Sequence, residues 1–365
     1  MSRSHELDFG DVPDIFRLMK SIFSHAERIQ DLSLEASEVD ILTGFASMFM
    51  PHFRDHFVNL NHLVVAVHPY DDVPDILIKA FSASPLRGIE IYSPGDRYCL
   101  QRLPYANLTD IAISTTDVLV ATKIVSDFPS LRRAKFALRP KKLPESISLH
   151  SLTHMHSLDI TVQPWNYSDD SYSDFINLLT CPALTYLALG LSEYSDGPIP
   201  VSGTFPQAVA SFAKRSPQIQ TFRLMFTTFD DEELLMILEQ MTEVVVFDFV
   251  QTPFVSGTLM KEIGFGRVMP KLNDLRIAWY AEKFDWEAWL DMVSSRWALK
   301  EQALGSVYLR LWQNEVPRYV RDWVREMQLA GRAVKILSVH TETEEIYRYA
   351  QPDKGKGKGK EINGI

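Results

Sequence analysis

Two groups of histidines come nearest, by residue type and spacing, to a site that could do chemistry. His52-x-x-x-His56 would place two imidazoles on one face of a helix, as zinc sites do. No third ligand and no glutamate of the metallopeptidase pattern adjoins the pair, so we interpret both as histidines at the surface or end of a helix. His150, His154 and His156 form a second cluster, which we interpret in the same way. The sequence therefore predicts no metal site.

Other patterns that carry catalysis are missing from the sequence. Gly264-Phe-Gly266 is too short for a phosphate-binding loop and lacks the required order of strand, loop and helix. No Gly-x-Ser-x-Gly nucleophile motif occurs, and no pair of carboxylates stands apart from ordinary acidic loops. We therefore predict a protein that is not an enzyme, with no catalytic residues and no cofactor.

The composition is that of an ordinary globular protein. The chain has 365 residues, of which 46% are hydrophobic and 23% charged, and this excludes a wholly disordered, collagen-like or coiled-coil chain. With 37 Lys and Arg against 47 Asp and Glu, its formal net charge is −10. Binding to nucleic-acid phosphates needs a basic surface, so we do not expect nucleic acid as the main partner.

No segment of the sequence predicts export or a membrane span. Residues 1–9 carry no apolar core behind Arg3, and no window holds about 18 apolar residues in succession. Cys99 and Cys181 are too few for a disulfide framework, which favours a reducing compartment. We therefore expect an intracellular protein, cytoplasmic or nuclear, that does not bind a membrane.

The most informative feature is a short motif, apolar-x-x-apolar-x-apolar, that recurs along the chain. Its first residues are Ile29, Leu60, Leu86, Leu108, Leu131, Met155, Leu184, Ile219, Val244, Leu272 and Leu304. The intervals average 27.5 residues, inside the range of about 20–29 that is typical of leucine-rich repeats. The Asn or Cys that usually follows the strand in such repeats is missing, so we expect the turns to be tied differently from one repeat to the next.

Each motif predicts one strand of a parallel sheet. The fourth and sixth residues point inward and the third and fifth outward, because successive side chains of a strand alternate. Helices between the strands would cover the inward side with an apolar stripe. We predict helices over 13–25, 74–81, 205–214 and 231–241, with Thr228 or Asp230 as N-cap of the last, and long loops over 165–173 and 195–203. The predicted fold is α/β, a right-handed leucine-rich-repeat-like solenoid of irregular repeats, with the sheet concave and the helices convex.

The C-terminal part of the chain is rich in tryptophan. Six of the seven tryptophans lie between Trp279 and Trp323. They could form a cap that closes the end of the core, or an aromatic patch that binds a partner. Residues 317–330 would form a capping helix and 334–339 the last strand. We predict a solenoid over 1–349, including a Trp-rich cap at about 279–349, and a disordered Lys/Gly tail over 350–365.

Several stretches of the chain, taken in order, resemble a known family. They are Arg28-Ile-Gln-Asp-Leu-Ser-Leu34, Leu103-Pro-Tyr-Ala-Asn-Leu-Thr109, Phe128-Pro-Ser-Leu131, Thr180-Cys-Pro-Ala-Leu184 and Met292-Val-Ser-Ser-Arg-Trp297. The combination, over about residues 12–340, resembles the basidiomycete F-box proteins with irregular leucine-rich-repeat-like C-terminal regions. Tyr105 stands where that family has a tryptophan. The resemblance implies an interaction scaffold that recognises substrates for an SCF-type ubiquitin ligase.

The F-box that opens most members of that family does not occur in this chain. Val12-Pro-Asp-Ile-Phe-Arg-Leu18 is similar to its beginning, but the first motif starts at Ile29 and leaves no room for it. We expect a Skp1-type adaptor as a partner only if an F-box is encoded upstream. Two interpretations stay open: a truncated ubiquitin-ligase receptor, or a stand-alone interaction module with no ligase link. In either case we expect a monomer with a protein partner that the sequence does not name.

The third and fifth residues of the motifs predict where that partner binds. They form the concave face and mix charged with aromatic side chains, and Arg and Tyr are favoured at the centres of protein interfaces. The predicted partner-binding residues are Arg133, Lys135, Asp159, Tyr186, Arg223, Asp248, Asp274, Arg276 and Tyr308.

Overall fold

The structure is a computed structural model of the chain. It describes residues 21–22, 24–36, 57–67, 81, 84–92, 107–144, 150–162, 170–191, 203–225, 229–250, 256–279, 284–299, 304–312, 315–340 and 343–345. The histidine pair at 52 and 56, the predicted helix at 74–81 apart from its last residue, most of the predicted helix at 13–25, the predicted loop over 195–203 apart from its last residue, and the Lys/Gly tail lie outside the described residues.

The chain folds as two compact units, Met1–Ile160 and Thr161–Ile365. The strands of the first unit are β1 (Asp31–Ala36), β2 (His62–Val67), β3 (Gly88–Tyr92), β4 (Asp110–Asp117), β5 (Arg133–Arg139), the short β6 (His150–Ser151) and β7 (Ser157–Val162), which reaches the unit boundary. The second unit has the short β8 (Leu179–Thr180), β9 (Tyr186–Leu191), β10 (Thr221–Met225), β11 (Val246–Val250), β12 (Asp274–Trp279), β13 (Ser306–Trp312), β14 (Ala333–His340) and β15 (Thr343–Glu345).

Within each unit the motif strands lie side by side in chain order and run parallel. In the first unit Leu32, Leu63 and Ile89 are aligned across β1, β2 and β3, followed by Ile111 of β4. In the second unit the inward residues are aligned across β9 to β14, namely Leu187, Phe222, Phe247, Leu275, Val307 and Val334. The α/β class, the parallel pairing and the register predicted by the motif are confirmed. The short strand β15 pairs antiparallel with β14.

The helices follow the strands, and most of those described lie in the second unit. They are α1 (Val118–Asp127), α2 (Ser171–Leu178), α3 (Phe205–Arg215), α4 (Asp231–Glu239), α5 (Gly257–Gly264), α6 (Trp286–Ala298) and α7 (Arg318–Leu329), with a 3-10 turn at Ala26–Arg28. α1 packs on β4 and β5, and α7 packs on β14. α3, α4 and α7 confirm three predicted helices within one or two residues. The predicted loop over 165–173 is wrong at its end, because Ser171, Tyr172 and Ser173 are buried in the first turn of α2.

Helix starts are set by short polar side chains. Asp230 is the N-cap of α4 and forms a complete capping box with Glu233, whose backbone N–H donates to the Asp230 carboxylate at 2.8 Å. Asp117 and Asp285 cap α1 and α6 through the same kind of bond, 2.8 and 3.0 Å long. Each cap places a carboxylate at the positive end of the helix dipole, and this stabilises the helix at that residue.

A backbone device ties the repeats together at the start of each strand. The carbonyl of the second motif residue accepts two N–H donors from the second and third residues of the next motif. Asn61 accepts from Arg87 and Gly88 at 2.7 and 2.9 Å, and the pattern continues through both units. We expected irregular turns after the strands, but on this side of the strands the tie is uniform. It uses only backbone atoms, so irregular sequences can share it.

A tight turn precedes most motifs. Its first residue is buried and accepts the N–H of the first motif residue, as in Phe128-Pro-Ser-Leu131, Cys181-Pro-Ala-Leu184 and Met269-Pro-Lys-Leu272, with lengths of 3.2, 3.0 and 3.0 Å. Proline suits the second position of such a turn because its ring fixes φ near the value required. The Pro-containing segments at 128–131 and 180–184, which contribute to the family resemblance, therefore form tight turns before the strands.

Arginines join successive helices in the second unit. Arg296 of α6 is fully buried and donates to the carbonyls of Ile263, Met269 and Pro270 at 3.0, 2.7 and 3.0 Å. These carbonyls include the C-terminal end of α5, where helix carbonyls lack partners within the helix. Arg215 of α3 does the same for α2, donating to three carbonyls at its C-terminal end.

The tryptophans near the C-terminal end form part of the core. Trp286, Trp289 and Trp297 are buried, and Trp323 lies edge-on to Trp289 and stacks on Trp297 with centroids 5.7 Å apart. The Trp297 indole N–H donates to the Leu304 carbonyl at 2.8 Å. The side chains of Trp279 and Trp312 lie outside what the structure describes. Trp286, Trp289 and Trp297 are buried and Trp323 is half-buried against them, which favours the core role over an exposed aromatic patch.

Candidate interaction surfaces

The outward residues of the motif strands form an open face in each unit. On β5, Arg133 and Lys135 are exposed while Ala134 and Phe136 are buried. On β10 and β11 the second and fourth residues of each strand are buried, and the first, third and fifth are half-buried. The buried residues are Phe222, Leu224, Phe247 and Phe249. The parallel register then brings the third and fifth motif residues of neighbouring strands into rows.

The open face of the second unit carries what we call the charged row, Arg223, Asp248, Arg276, Tyr308 and Lys335. These residues are aligned on β10, β11, β12, β13 and β14. Arg223 Nε lies 3.3 Å from Asp248 Oδ2, and Lys335 Nζ lies 5.3 Å from the centroid of the Tyr308 ring. Opposite charges therefore alternate along the first part of the row, and a cation lies over an aromatic ring at its end.

Asp274 adds a second carboxylate next to the charged row. Its Oδ2 accepts from Arg276 Nη2 at 2.5 Å and from Nε at 3.0 Å, and its Oδ1 accepts from the Ser306 hydroxyl at 2.8 Å. The bond to Asp274 raises the pKa of Arg276. Burial raises the pKa of the Asp248 carboxyl, and this outweighs the opposing effect of Arg223 and Arg276. The row and Asp274 thus hold two ion pairs, Arg223 with Asp248 and Arg276 with Asp274, and these pairs lie on neighbouring strands.

The open face of the first unit is paired in the same manner. Arg133 Nε donates to the Asp110 carboxylate, and Lys135 Nζ lies 3.9 Å from Asp159 Oδ2. His62 Nε2 lies 3.4 Å from Glu90, and the Tyr92 hydroxyl donates to Glu90 at 2.6 Å. This bond, together with burial and the charge of Glu90, raises the pKa of Tyr92 to about 12.

All nine predicted partner-binding residues take outward positions of their strands, and within each unit the structure brings them together. Arg133, Lys135 and Arg276 are exposed, and the other six are half-buried. Whether they bind a partner stays a prediction. Sequence reasoning missed Asp110, Glu90 and Lys335, although the same motif positions point to them. It also treated Lys135 and Asp159, and Arg223 and Asp248, as separate charges, whereas the structure brings each two together as an ion pair.

A second surface lies at the N-terminal edge of the first unit's strands. It is a groove of about 650 Å³, which we call the edge groove, and its described lining residues are Asn61, Pro85, Arg87, Asn107, Thr109, Ser130, Arg132 and His154. Four of them are the second residues of their motifs, and the others belong to the turns just before. This groove was not predicted from the sequence, although its residues hold repeated positions in and before the motif, because they come from separate repeats.

The remaining sequence candidates concern metal ligands, Cys181, the glycines near Gly264 and membrane spans. No group of three His, Cys, Asp or Glu side chains that could hold a metal ion occurs within the described part of the chain. Cys181 is buried and free, and burial raises its thiol pKa to about 12. Gly264 ends α5 against the backbone of Met292, where an added Cβ would lie 3.0 Å from the Met292 Cα, so its role is close helix packing. Among the described helices, none is long and apolar enough to cross a bilayer.

Comparison with known proteins adds little to this description. No protein-family model matches the chain, and no curated protein is similar to it. Among solved structures, the chain is similar to a protein from Bacteroides fragilis that was determined as a structural-genomics target. The identity is 13%, the TM-score is 0.34, and the match covers 72% of this chain and 82% of the other.

Proposed function

We propose that this chain is a non-catalytic protein-binding module, and that its open strand face contacts the partner. The observation that carries the proposal is the charged row with its neighbour Asp274. Neighbouring strands place ion-paired side chains in register at the surface, instead of a scatter of solvated charges. The parallel-sheet repeat fold is compatible with such a scaffold, since repeat proteins offer extended surfaces to their ligands.

The chemistry of the row favours a partner of mixed charge. Arg223 and Arg276 are already paired with carboxylates, so a ligand must supply both a carboxylate and a cation to replace both halves of a pair. Such complementarity contributes more to specificity and to the association rate than to raw affinity. Tyr308 adds a rigid aromatic surface beside these charges, of the kind that is enriched where binding energy concentrates.

The test is reversal of charge at the row, Arg223→Glu with Arg276→Glu, followed by affinity purification from native cell extracts. A matched control reverses two exposed helix lysines, Lys214→Glu with Lys261→Glu, so the change in net charge is equal. We expect the row variant to lose the partners that the wild type and the control retain. Circular dichroism and thermal melting check that both variants fold. Loss of partners only in the helix variant would contradict the proposal.

We further propose, from the family resemblance, that the partner is a substrate of an SCF-type ubiquitin ligase. The resemblance of the motifs at 103–109 and 292–297 supports this assignment. The test is to express the product of the complete gene and to measure binding of a purified Skp1-type adaptor. Binding at micromolar concentration or better is expected if an F-box precedes this region. Absence of adaptor binding by the complete product would favour the stand-alone module, and the proposal for the open face would be unaffected.

A further inference from the structure

We propose that the edge groove of the first unit binds an acidic peptide segment through Arg87 and Arg132. This site is separate from the open face, and the proposal does not depend on the function proposed above. The groove has a volume of about 650 Å³ and opens at the start of β2 to β5. That volume is within the range of about 300–1,000 Å³ that binding pockets in proteins occupy.

The charges of the groove differ from those of the open face. Arg87 and Arg132 are exposed, and neither has a carboxylate within ion-pair distance among the residues that the structure describes. Asp110 accepts a hydrogen bond from Thr109 at 2.7 Å, but it is already paired with Arg133. The two guanidinium groups therefore keep their donors for a ligand, and a guanidinium binds carboxylates with two parallel hydrogen bonds.

The backbone around the groove is already satisfied. The carbonyls of Asn61, Arg87, Thr109 and Arg132 each accept two N–H groups from the next repeat. A ligand strand therefore cannot add to this edge as it would add to the side of a sheet. Recognition has to come from side chains, and those in the groove are amides, hydroxyls, guanidiniums and an exposed imidazole.

The spacing of the two arginines suits a peptide in extended form. They precede β3 and β5, and two strand spacings amount to about 10 Å. Carboxylates two or three residues apart in an extended chain lie roughly 7–10 Å apart. The amide of Asn107 and the hydroxyl of Ser130, which precede β4 and β5, can bond the peptide groups between the two carboxylates, and this favours a peptide over a single small anion.

The whole chain has a net charge of −10, so an acidic peptide would not bind to its surface in general. A protein of this charge repels an acidic peptide at long range, so diffuse attraction cannot account for binding. Binding must come from the local pair of arginines, and it must weaken with salt, because the groove is open to solvent and its charges are screened.

The test is fluorescence anisotropy of a rhodamine-labelled hexaglutamate peptide with the full chain at low ionic strength. We expect saturable binding that hexaglutamine does not show. Arg87→Gln with Arg132→Gln should weaken binding about tenfold or more, because both bidentate contacts are lost. The matched control is Lys123→Gln with Lys142→Gln, which removes the same charge from exposed residues of the same unit and should change the affinity by less than about threefold. Both variants alter exposed side chains, and thermal melting checks that they fold.

Three outcomes would overturn the proposal. The first is absence of hexaglutamate binding by the wild type at millimolar peptide. The second is an equal loss in the arginine and lysine variants, which would show a general charge effect without a site. The third is saturable binding of inorganic phosphate without binding of hexaglutamate, which would mean that the groove selects a small anion.

Discussion

Arginine has opposite roles on the helical side and on the open face of the second unit. Arg296 is completely buried between α5 and α6, and its guanidinium bonds only carbonyls. Arg276 is half exposed on β12 and pairs with a carboxylate of its own strand. Burial lowers the pKa of Arg296, whereas the bond to Asp274 raises that of Arg276. We infer that the helical arginine stabilises the fold, while the strand arginine is available for recognition.

The difference should be largest in the stability of variants at Arg296. Arg296→Ala removes the guanidinium bonds to the carbonyls of Ile263, Met269 and Pro270 and creates a cavity, so we expect the free energy of unfolding to fall by roughly 3–5 kcal/mol. Urea unfolding measures this loss. Arg296→Met is the control, because it keeps most of the volume. If Arg296→Met is as stable as the wild type, the hydrogen bonds of Arg296 do not stabilise the fold, and the proposed difference between Arg296 and Arg276 is wrong.

The inward residues of the strands come next. Leu187→Ala and Leu275→Ala each remove a buried side chain, of 0% and 1% exposure, from the aligned core row, and each should cost roughly 2–5 kcal/mol through the cavity. Leu329→Ala is the matched control, since that leucine is 72% exposed and should change stability by less than about 0.5 kcal/mol. Thermal melts that do not change for the core variants would show that the inward row does not carry the core.

Arg276→Ala should have a much smaller effect on stability. The ion pair with Asp274 is open to solvent, and exposed pairs contribute about 0–1 kcal/mol. The measurement is urea unfolding beside Arg296→Ala under the same conditions. A loss as large as that of Arg296→Ala would remove the distinction between the two regions.

The smallest effect concerns pH. The pKa of Asp248 is raised in the folded state because burial disfavours its charged form. The folded state therefore binds this proton more tightly than the unfolded state, and the stability linked to Asp248 falls as pH rises through the folded pKa. Asp248→Asn removes this titration. The stability of the variant relative to wild type should therefore increase as the pH rises from about 3 to 7.

Unfolding free energies of both proteins across that pH range measure the effect. A relative loss with rising pH would mean that the charges of Arg223 and Arg276 outweigh burial in setting the pKa of Asp248. The charged row would then stabilise the fold as well, and its contrast with the helical side would be weaker than proposed.

Much of the fold could be predicted from the repeated motif. Every motif from Ile29 to Leu304 leads into a strand of a parallel sheet, and the last strand at 334–339 lies within β14. Helices were predicted less completely. The helices α5 and α6 were not predicted from the sequence, although each buries apolar residues at helical spacing, and polar Ser171 and Ser173 hid the start of α2. The nine partner-binding residues could be placed on one face of the strands because alternation is a local property.

Period-two alternation and the repeat length are encoded locally, so the strands, their register and the polarity of their two faces follow from the amino-acid sequence. Which charges are neutralised depends instead on the tertiary structure. Arg223 meets Asp248, and Arg296 meets the carbonyl of Ile263, across separations of 25 and 33 residues. The edge groove likewise combines turns of several repeats. The partner of a charged side chain is often distant in the chain and becomes a neighbour only when the strands have stacked. For this reason Arg87 and Arg132 cannot be told from other surface arginines until the fold is known.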